Sequence, residues 1–98
     1  MPPVVRIFRC RVKAGRRDEW EKIVREVSVP KLSQSEGLLA YYPGAPLGDP
    51  DEFTMVSVWR DRGAVRAYAG DSWREPVLYP GEEEILDEVH VHHYELFD

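Results

Sequence analysis

Hydrophobic and polar positions change rhythm six times along the chain. From Val4 to Val12 they alternate as in a strand, with Val4, Phe8, Cys10 and Val12 on one side and Val5 and Ile7 on the other. Both faces of this strand begin apolar, so both call for cover. Gly15 ends it, and Asp18 to about Gln34 reads as a helix whose Trp20, Ile23, Val24 and Val27 form an i, i+3, i+4, i+7 stripe. Pro30 lacks an amide hydrogen and its ring crowds the preceding turn, so irregularity is expected there, as a kink or an early end. After Gly37 comes a short apolar strand, Leu38 to Tyr42, and then the turn-forming run from Pro43 to Pro50, which reads as a loop. Glu52 to Trp59 sets Phe53, Met55, Ser57 and Trp59 against Thr54, Val56 and Val58, a strand apolar enough on both faces to be central. Asp61 caps a short helix through about Ala69, and Gly70 stands just past its end. Within Asp71 to Leu86, the Glu82 to Leu86 part suits one more helical turn, and Glu88 to Phe97 forms a last strand.

The order strand, helix, strand, strand, helix, strand predicts an α+β, ferredoxin-like βαββαβ fold. Its four-stranded antiparallel sheet would carry helices on one face only. With 98 residues and no repeat or linker, residues 1–98 are expected to form one domain with a modest core. Nothing within one copy covers the other sheet face, so the pattern predicts a homodimer.

Charge alters this picture in one respect. The net charge of -5 argues against a nucleic-acid partner, yet Arg6, Arg9, Arg11, Lys13, Arg16 and Arg17 crowd the start while acidic residues from Glu82 onward crowd the end. Antiparallel pairing of the first and last strands would set Asp87 and Glu88 near Arg11 and Lys13 and neutralise the cluster internally. No apolar run is long enough for a membrane span, and Met1-Pro2-Pro3 leads straight into a strand, so a cytoplasmic protein is expected. The single cysteine, Cys10, excludes an internal disulfide framework and reads as a small buried hydrophobe.

Several short motifs resemble the antibiotic biosynthesis monooxygenase family of dimeric α/β barrels. They are Val12-Lys13-Ala14-Gly15 before the first helix, Gly37 after it, Asp49-Pro50-Asp51-Glu52-Phe53 entering a strand, and Val58-Trp59-Arg60-Asp61 closing it. Tyr68-Ala69-Gly70, Trp73, Val77, Tyr79-Pro80, Glu83, Leu86 and His93-Tyr94-Glu95 extend the resemblance over nearly the whole chain. It implies a pocket between sheet and helices, one per subunit, in which a small aromatic molecule, phenolic or quinol, is oxidised by molecular oxygen. No metal, flavin or haem cofactor takes part; the substrate supplies the electrons. A site of this kind must hold a phenol, deprotonate it and stabilise the anion away from water.

The candidates that follow are His93, Tyr68 and Trp73 as catalytic groups, with His90 a further possible base. Trp59, Tyr79, Arg9 and Arg60 are candidates for substrate binding. Each has a competing structural role. Trp59 and Trp73 suit core or interface packing, Arg9 can pair with Glu88 or Glu95 across the sheet, and His93, on the face of Val89 and Val91, can be a hydrogen-bonded core histidine. His90 and His92 share the opposite face as a potential metal pair, with no third ligand evident. Tyr68 stands where family members often carry a histidine. Haem binding, known on this fold, generally uses a histidine on the second helix, where this chain has none. A non-enzymatic ligand-binding or stress-related dimer would use the same barrel as a container.

Overall fold

A computed structural model describes residues 2–48 and 51–97. Its elements are β1 (Val4–Val12), α1 (Arg17–Ile23), a π-helical stretch (Val24–Ser28), α2 (Val29–Leu32), β2 (Leu38–Gly44), β3 (Glu52–Trp59), α3 (Arg62–Ala69) and β4 (Leu86–Glu95). The strands form one antiparallel sheet in the order β2-β3-β1-β4, which is the expected ferredoxin-like topology with β1 and β3 inside.

The sheet's two faces differ as the alternation requires. Val4, Arg6, Phe8, Cys10 and Val12 of β1, with Phe53, Met55, Ser57 and Trp59 of β3 opposite them, face the helices. Buried side chains gather at the two ends of this face. Cys10, Val12, Trp20, Phe53, Ile85 and Leu86 form one cluster, and Val4, Leu32, Trp59, Ala64 and Val65 form the other. Full burial of Val65 and Ile85 stabilises the fold by about 1.5–3 kcal/mol each. On the other face Val5, Ile7, Val56 and Val58 lie in adjacent registers beside Ala40, Tyr42, His92 and Tyr94. Tyr42 and Tyr94 are more than half exposed there.

The first helix differs instructively from its predicted form. It runs from Arg17 to Leu32 without ending, but widens over Val24–Ser28, where the Val29 amide donates to the Val24 carbonyl. That five-residue spacing opens the ladder just before Pro30, which has no N–H to give and would crowd the Glu26 carbonyl in a regular helix. Irregularity at the proline is therefore present as a π turn rather than a break. Because the turn is wide, the helix faces the sheet side with Trp20, Val24, Ser28 and Leu32, a repeat of four.

Other boundaries move for local reasons. β2 extends through Pro43 and Gly44, predicted as loop, because β2 is an edge strand and an edge proline forfeits no ladder bond. The rest of that predicted loop reaches Asp49 and Pro50, which lie outside the described residues. The helical turn expected over Glu82 to Leu86 is absent: two successive tight turns run from Tyr79 to Ile85, with Glu82 N–H bonding Tyr79 O and Ile85 N–H bonding Glu82 O. β4 then starts at Leu86 and ends at Glu95, two residues earlier than expected at each end. A register shift beyond Arg11 leaves Asp87 without a β1 partner. Glu88 pairs with Arg11 at 3.9 Å, while Lys13 reaches the Glu84 carbonyl at 2.9 Å instead of Asp87. The α3 cap forms as expected, Asp61 Oδ1 accepting from the Ala64 amide at 2.9 Å. No helix among the described residues is long and apolar enough to cross a membrane.

Candidate functional site

Between the two buried clusters the sheet and helices do not close. They leave a half-open cavity of about 440 Å³, within the roughly 300–1,000 Å³ of small-molecule sites. Phe8, Val24, Val29, Leu32, Phe53, Met55 and Val77 make its walls mostly apolar, and Glu21 and Arg25 are among the residues that line it. Its other polar side chains are Arg6, Ser28, Thr54, Ser57, Tyr68, Tyr79 and Glu82.

Tyr68 comes from α3 and Tyr79 from the segment before β4, and their hydroxyls share a hydrogen bond of 2.8 Å. Burial first, then that bond, pushes the Tyr68 hydroxyl well above its ordinary value. Lys31 Nζ stands 5.2 Å from the Tyr79 ring centroid. Glu82 is only 2% exposed. Its Oε2 accepts from Ser28 Oγ at 2.8 Å and its Oε1 from the Tyr79 amide at 2.6 Å. Burial outweighs both bonds and raises the carboxyl above the usual carboxylate range. The π turn matters here, because Ser28 is its last residue and faces Glu82 through it. Cys10 also lines the cavity, its thiol pushed up to about 12 by burial and then by Glu82, so it stays protonated.

Arg6 is 4% exposed and ties three parts of the chain together. Nη1 donates to the Trp73 carbonyl at 2.8 Å and to His93 Nε2 at 2.9 Å, and Nη2 donates to the Glu75 carbonyl at 3.3 Å. Since arginine can only donate, His93 Nε2 must be the bare nitrogen and the ring a neutral Nδ1–H tautomer. Burial and the Arg6 charge hold the His93 pKa down to about 4. Trp73 packs edge-on against that ring at 4.9 Å.

Of the predicted site residues, the cavity brings together Tyr68 and Tyr79. His93 and Trp73 do not line it; they stand behind Arg6, and a histidine whose Nε2 is occupied and whose pKa is depressed is a poor base. Trp59 is wholly buried in the second cluster, bonded through Nε1 to Ser57 Oγ at 2.9 Å and tilted against Tyr68 at 5.0 Å, so it backs the wall instead of facing a ligand. Arg9 is exposed on the far face of the sheet, in register with His90, and Arg60 is exposed beside Asp61 at 3.6 Å; neither side chain lines the cavity. His90 and His92 lie on that far face too, His90 Nε2 3.8 Å from Glu88, and among the described residues no cluster of three potential ligands forms around them. Arg6 and Glu82 were missed as site residues. For Arg6 a signal existed, since it alternates with Val4 and Phe8 on the apolar face. For Glu82, inside Glu82-Glu83-Glu84, none did.

A one-sided antiparallel sheet with helices across a mostly apolar cavity defines a ferredoxin-like α+β protein built around a small-molecule-sized space. The chain belongs to the antibiotic biosynthesis monooxygenase family, whose model matches residues 3–72 and so stops short of Trp73, Tyr79, Glu82 and His93. A conserved protein from Methanosarcina mazei shares the fold with TM-score 0.78 and 23% identity over 97% of this chain and 93% of that one. A Pseudomonas aeruginosa protein aligns with TM-score 0.77 and 20% identity over 100% and 97%. A heme-degrading protein from Mycobacterium tuberculosis aligns with TM-score 0.69 and 23% identity over 97% and 91%. No curated protein matches the chain.

Proposed function

We propose that this protein is a cofactor-independent monooxygenase that binds a small phenolic or quinol molecule in the cavity and oxidises it with molecular oxygen. The observation that carries the reading is a mostly apolar cavity holding a buried carboxyl, Glu82, and a coupled tyrosine pair. For a phenol with a free para position the balance is one substrate plus one O2 giving a quinone and water. One oxygen atom becomes the second carbonyl, and the other leaves with two hydrogens of the substrate.

In this reading the chain's residues do three things. The apolar walls strip water from the ring, which favours electron transfer to oxygen from an anion that water would otherwise solvate. Glu82 takes the phenolic proton. Its raised pKa brings it nearer the operating pH than a solvated glutamate, as a general base requires, and Ser28 with the Tyr79 amide fixes its orientation. The Tyr68 hydroxyl, held neutral by burial, and the Tyr79 hydroxyl bonded to it offer a hydrogen bond to the substrate oxygen. His93 moves from the role of base to that of a positioning residue for Arg6. A second copy covers the open sheet face of Val5, Ile7, Val56 and Val58 and closes the barrel.

Oxygen uptake with 1-naphthol tests the proposal. The expected outcome is stoichiometric formation of 1,4-naphthoquinone containing one atom from isotopically labelled oxygen, reduced on the order of 10²–10⁴-fold in Glu82→Gln. Saturable binding of 1-naphthol and related quinols with no uptake above the protein-free rate would refute it in favour of a container.

A further inference from the structure

Arg6 is buried and positively charged, and nothing negative is bonded to it. Its three hydrogen-bond partners are two main-chain carbonyls and a neutral imidazole, and the uncharged Tyr68 ring centroid lies 5.8 Å from its Cζ. None of the ion pairs among the described residues includes it, and Glu75, the nearest acidic residue in this network, offers its carbonyl and not its carboxylate. A guanidinium carries five N–H donors, so three bonds leave donors free. Burying a charge without a countercharge is costly, and proteins that retain one normally supply its partner. Three neutral acceptors could be held by a neutral donor at lower cost, so bracing the Trp73–Glu75 segment does not by itself explain an arginine. Arg6 also lines the cavity. The buried carboxyl there, Glu82, is already held by Ser28 and Tyr79, and the buried Cys10 thiol stays protonated.

We infer that the cavity takes an aromatic ligand bearing its own anionic group, a hydroxy-aromatic carboxylate, with the carboxylate seated on Arg6 and the hydroxyl toward Glu82. The inference rests on the cavity being the ligand site proposed above, and it deepens that reading by naming the substrate class. The carboxylate supplies the missing countercharge, and in a water-poor space a charge-assisted pair with arginine is strong and directional. The polarity of the site then orients the ring: one end of the ligand is anchored as an anion, while the other presents a neutral hydroxyl to a carboxylate that can accept its proton. His93 serves the same end, because its bare Nε2 holds the guanidinium in place without cancelling its charge.

The test is binding under argon, which separates it from any oxygenation, using 5-hydroxy-1-naphthoate, whose two groups stand at opposite ends of the ring system, its methyl ester and 1-naphthol, followed by quenching of tryptophan fluorescence or by calorimetry. The wild-type protein is expected to bind the carboxylate at least tenfold tighter than the ester or 1-naphthol. Arg6→Gln is expected to abolish that preference while still binding the neutral compounds. Equal affinity for acid and ester in the wild type overturns the inference without recourse to a variant, so it stays decidable even where Arg6→Gln does not fold. Failure of all three compounds to bind at millimolar concentration overturns it as well. A carboxylate preference without oxygen uptake in air would uphold it and remove the monooxygenase reading; oxygenation of 1-naphthol with no carboxylate preference would do the reverse.

Discussion

Replacing Trp59 with alanine separates packing from ligand contact, because the structure makes the two roles predict different results. The side chain is 0% exposed, so the substitution removes an entire indole from the second cluster, at a cost of about 3–5 kcal/mol for a buried aromatic. Loss of the bond to Ser57 and of the contact with Tyr68 argues for the upper part of that range, about 4 kcal/mol, against a total stability of roughly 5–15 kcal/mol. With a urea m-value near 1.5 kcal/mol/M, the unfolding midpoint should fall by roughly 2–3 M. Equilibrium unfolding followed by circular dichroism measures this, at one fixed protein concentration because association adds to apparent stability. Ligand affinity should fall as well, since Tyr68 leans on the indole. A midpoint shift equivalent to less than about 1.5 kcal/mol, together with lost binding, would show that Trp59 touches ligand and that its burial here is misread.

Gly37→Ala should destabilise well beyond Gly15→Ala: both glycines have positive φ, but a Cβ at Gly37 would lie 2.5 Å from Ala64 Cβ, whereas at Gly15 it meets nothing within 4 Å. Thermal melts should show roughly 1 kcal/mol for Gly15→Ala, from the backbone alone, and a clearly larger loss for Gly37→Ala; equal losses would refute the close approach. The His93 pKa is lowered from 6.5 to about 4, so the unfolded chain binds the proton more readily. Stability present above pH 6.5 should therefore decline as the pH falls toward 4, by roughly 1 kcal/mol after solvent screening. Glu82, raised instead, contributes the opposite slope. His93→Gln, which can still accept from Arg6, should remove the acid-side decline in urea titrations at pH 4 to 7, and an unchanged decline would assign it elsewhere. Val58→Asp on the open sheet face should leave a folded monomer by sedimentation velocity, and a wild-type protein that sediments as a monomer would end the dimer proposal.

Where local chemistry decides structure, the sequence was legible. The alternation of β1 and β3 and the Asp61 cap needed no tertiary information, and their bounds agree with the structure. The π turn was not legible, because its place depends on how Pro30 is accommodated while Trp20 and Leu32 both remain buried. Nor was the strand conformation of Pro43, which is tolerated because β2 lies at an edge, a property of the assembled sheet. The site divides in the same way. Tyr68 and Tyr79 were recognisable as aromatics near a helix end and a turn, but Arg6 and Glu82 sat within charge clusters whose ordinary role is to face water. Two successive turns from Tyr79 to Ile85 bring Glu82 inward and leave Glu83 and Glu84 exposed, and composition carries no trace of that choice.

The π turn also absorbs one residue more than a regular helix would place between the two clusters. One helix spans both buried clusters, contacting the first through Trp20 and the second through Leu32, and its winding must bring both to the same side over twelve residues. A regular α-helix advances about 100° per residue and would leave those ends out of phase. Deleting one residue within 24–28 would let the helix wind regularly over the eleven steps that remain, which at about 100° each bring Leu32 to within about 20° of the Trp20 side, so the helix would still meet both clusters. A one-residue gap there thus marks a relative whose first helix is regular, reaching both clusters without the wide turn that sets Ser28 against Glu82 here.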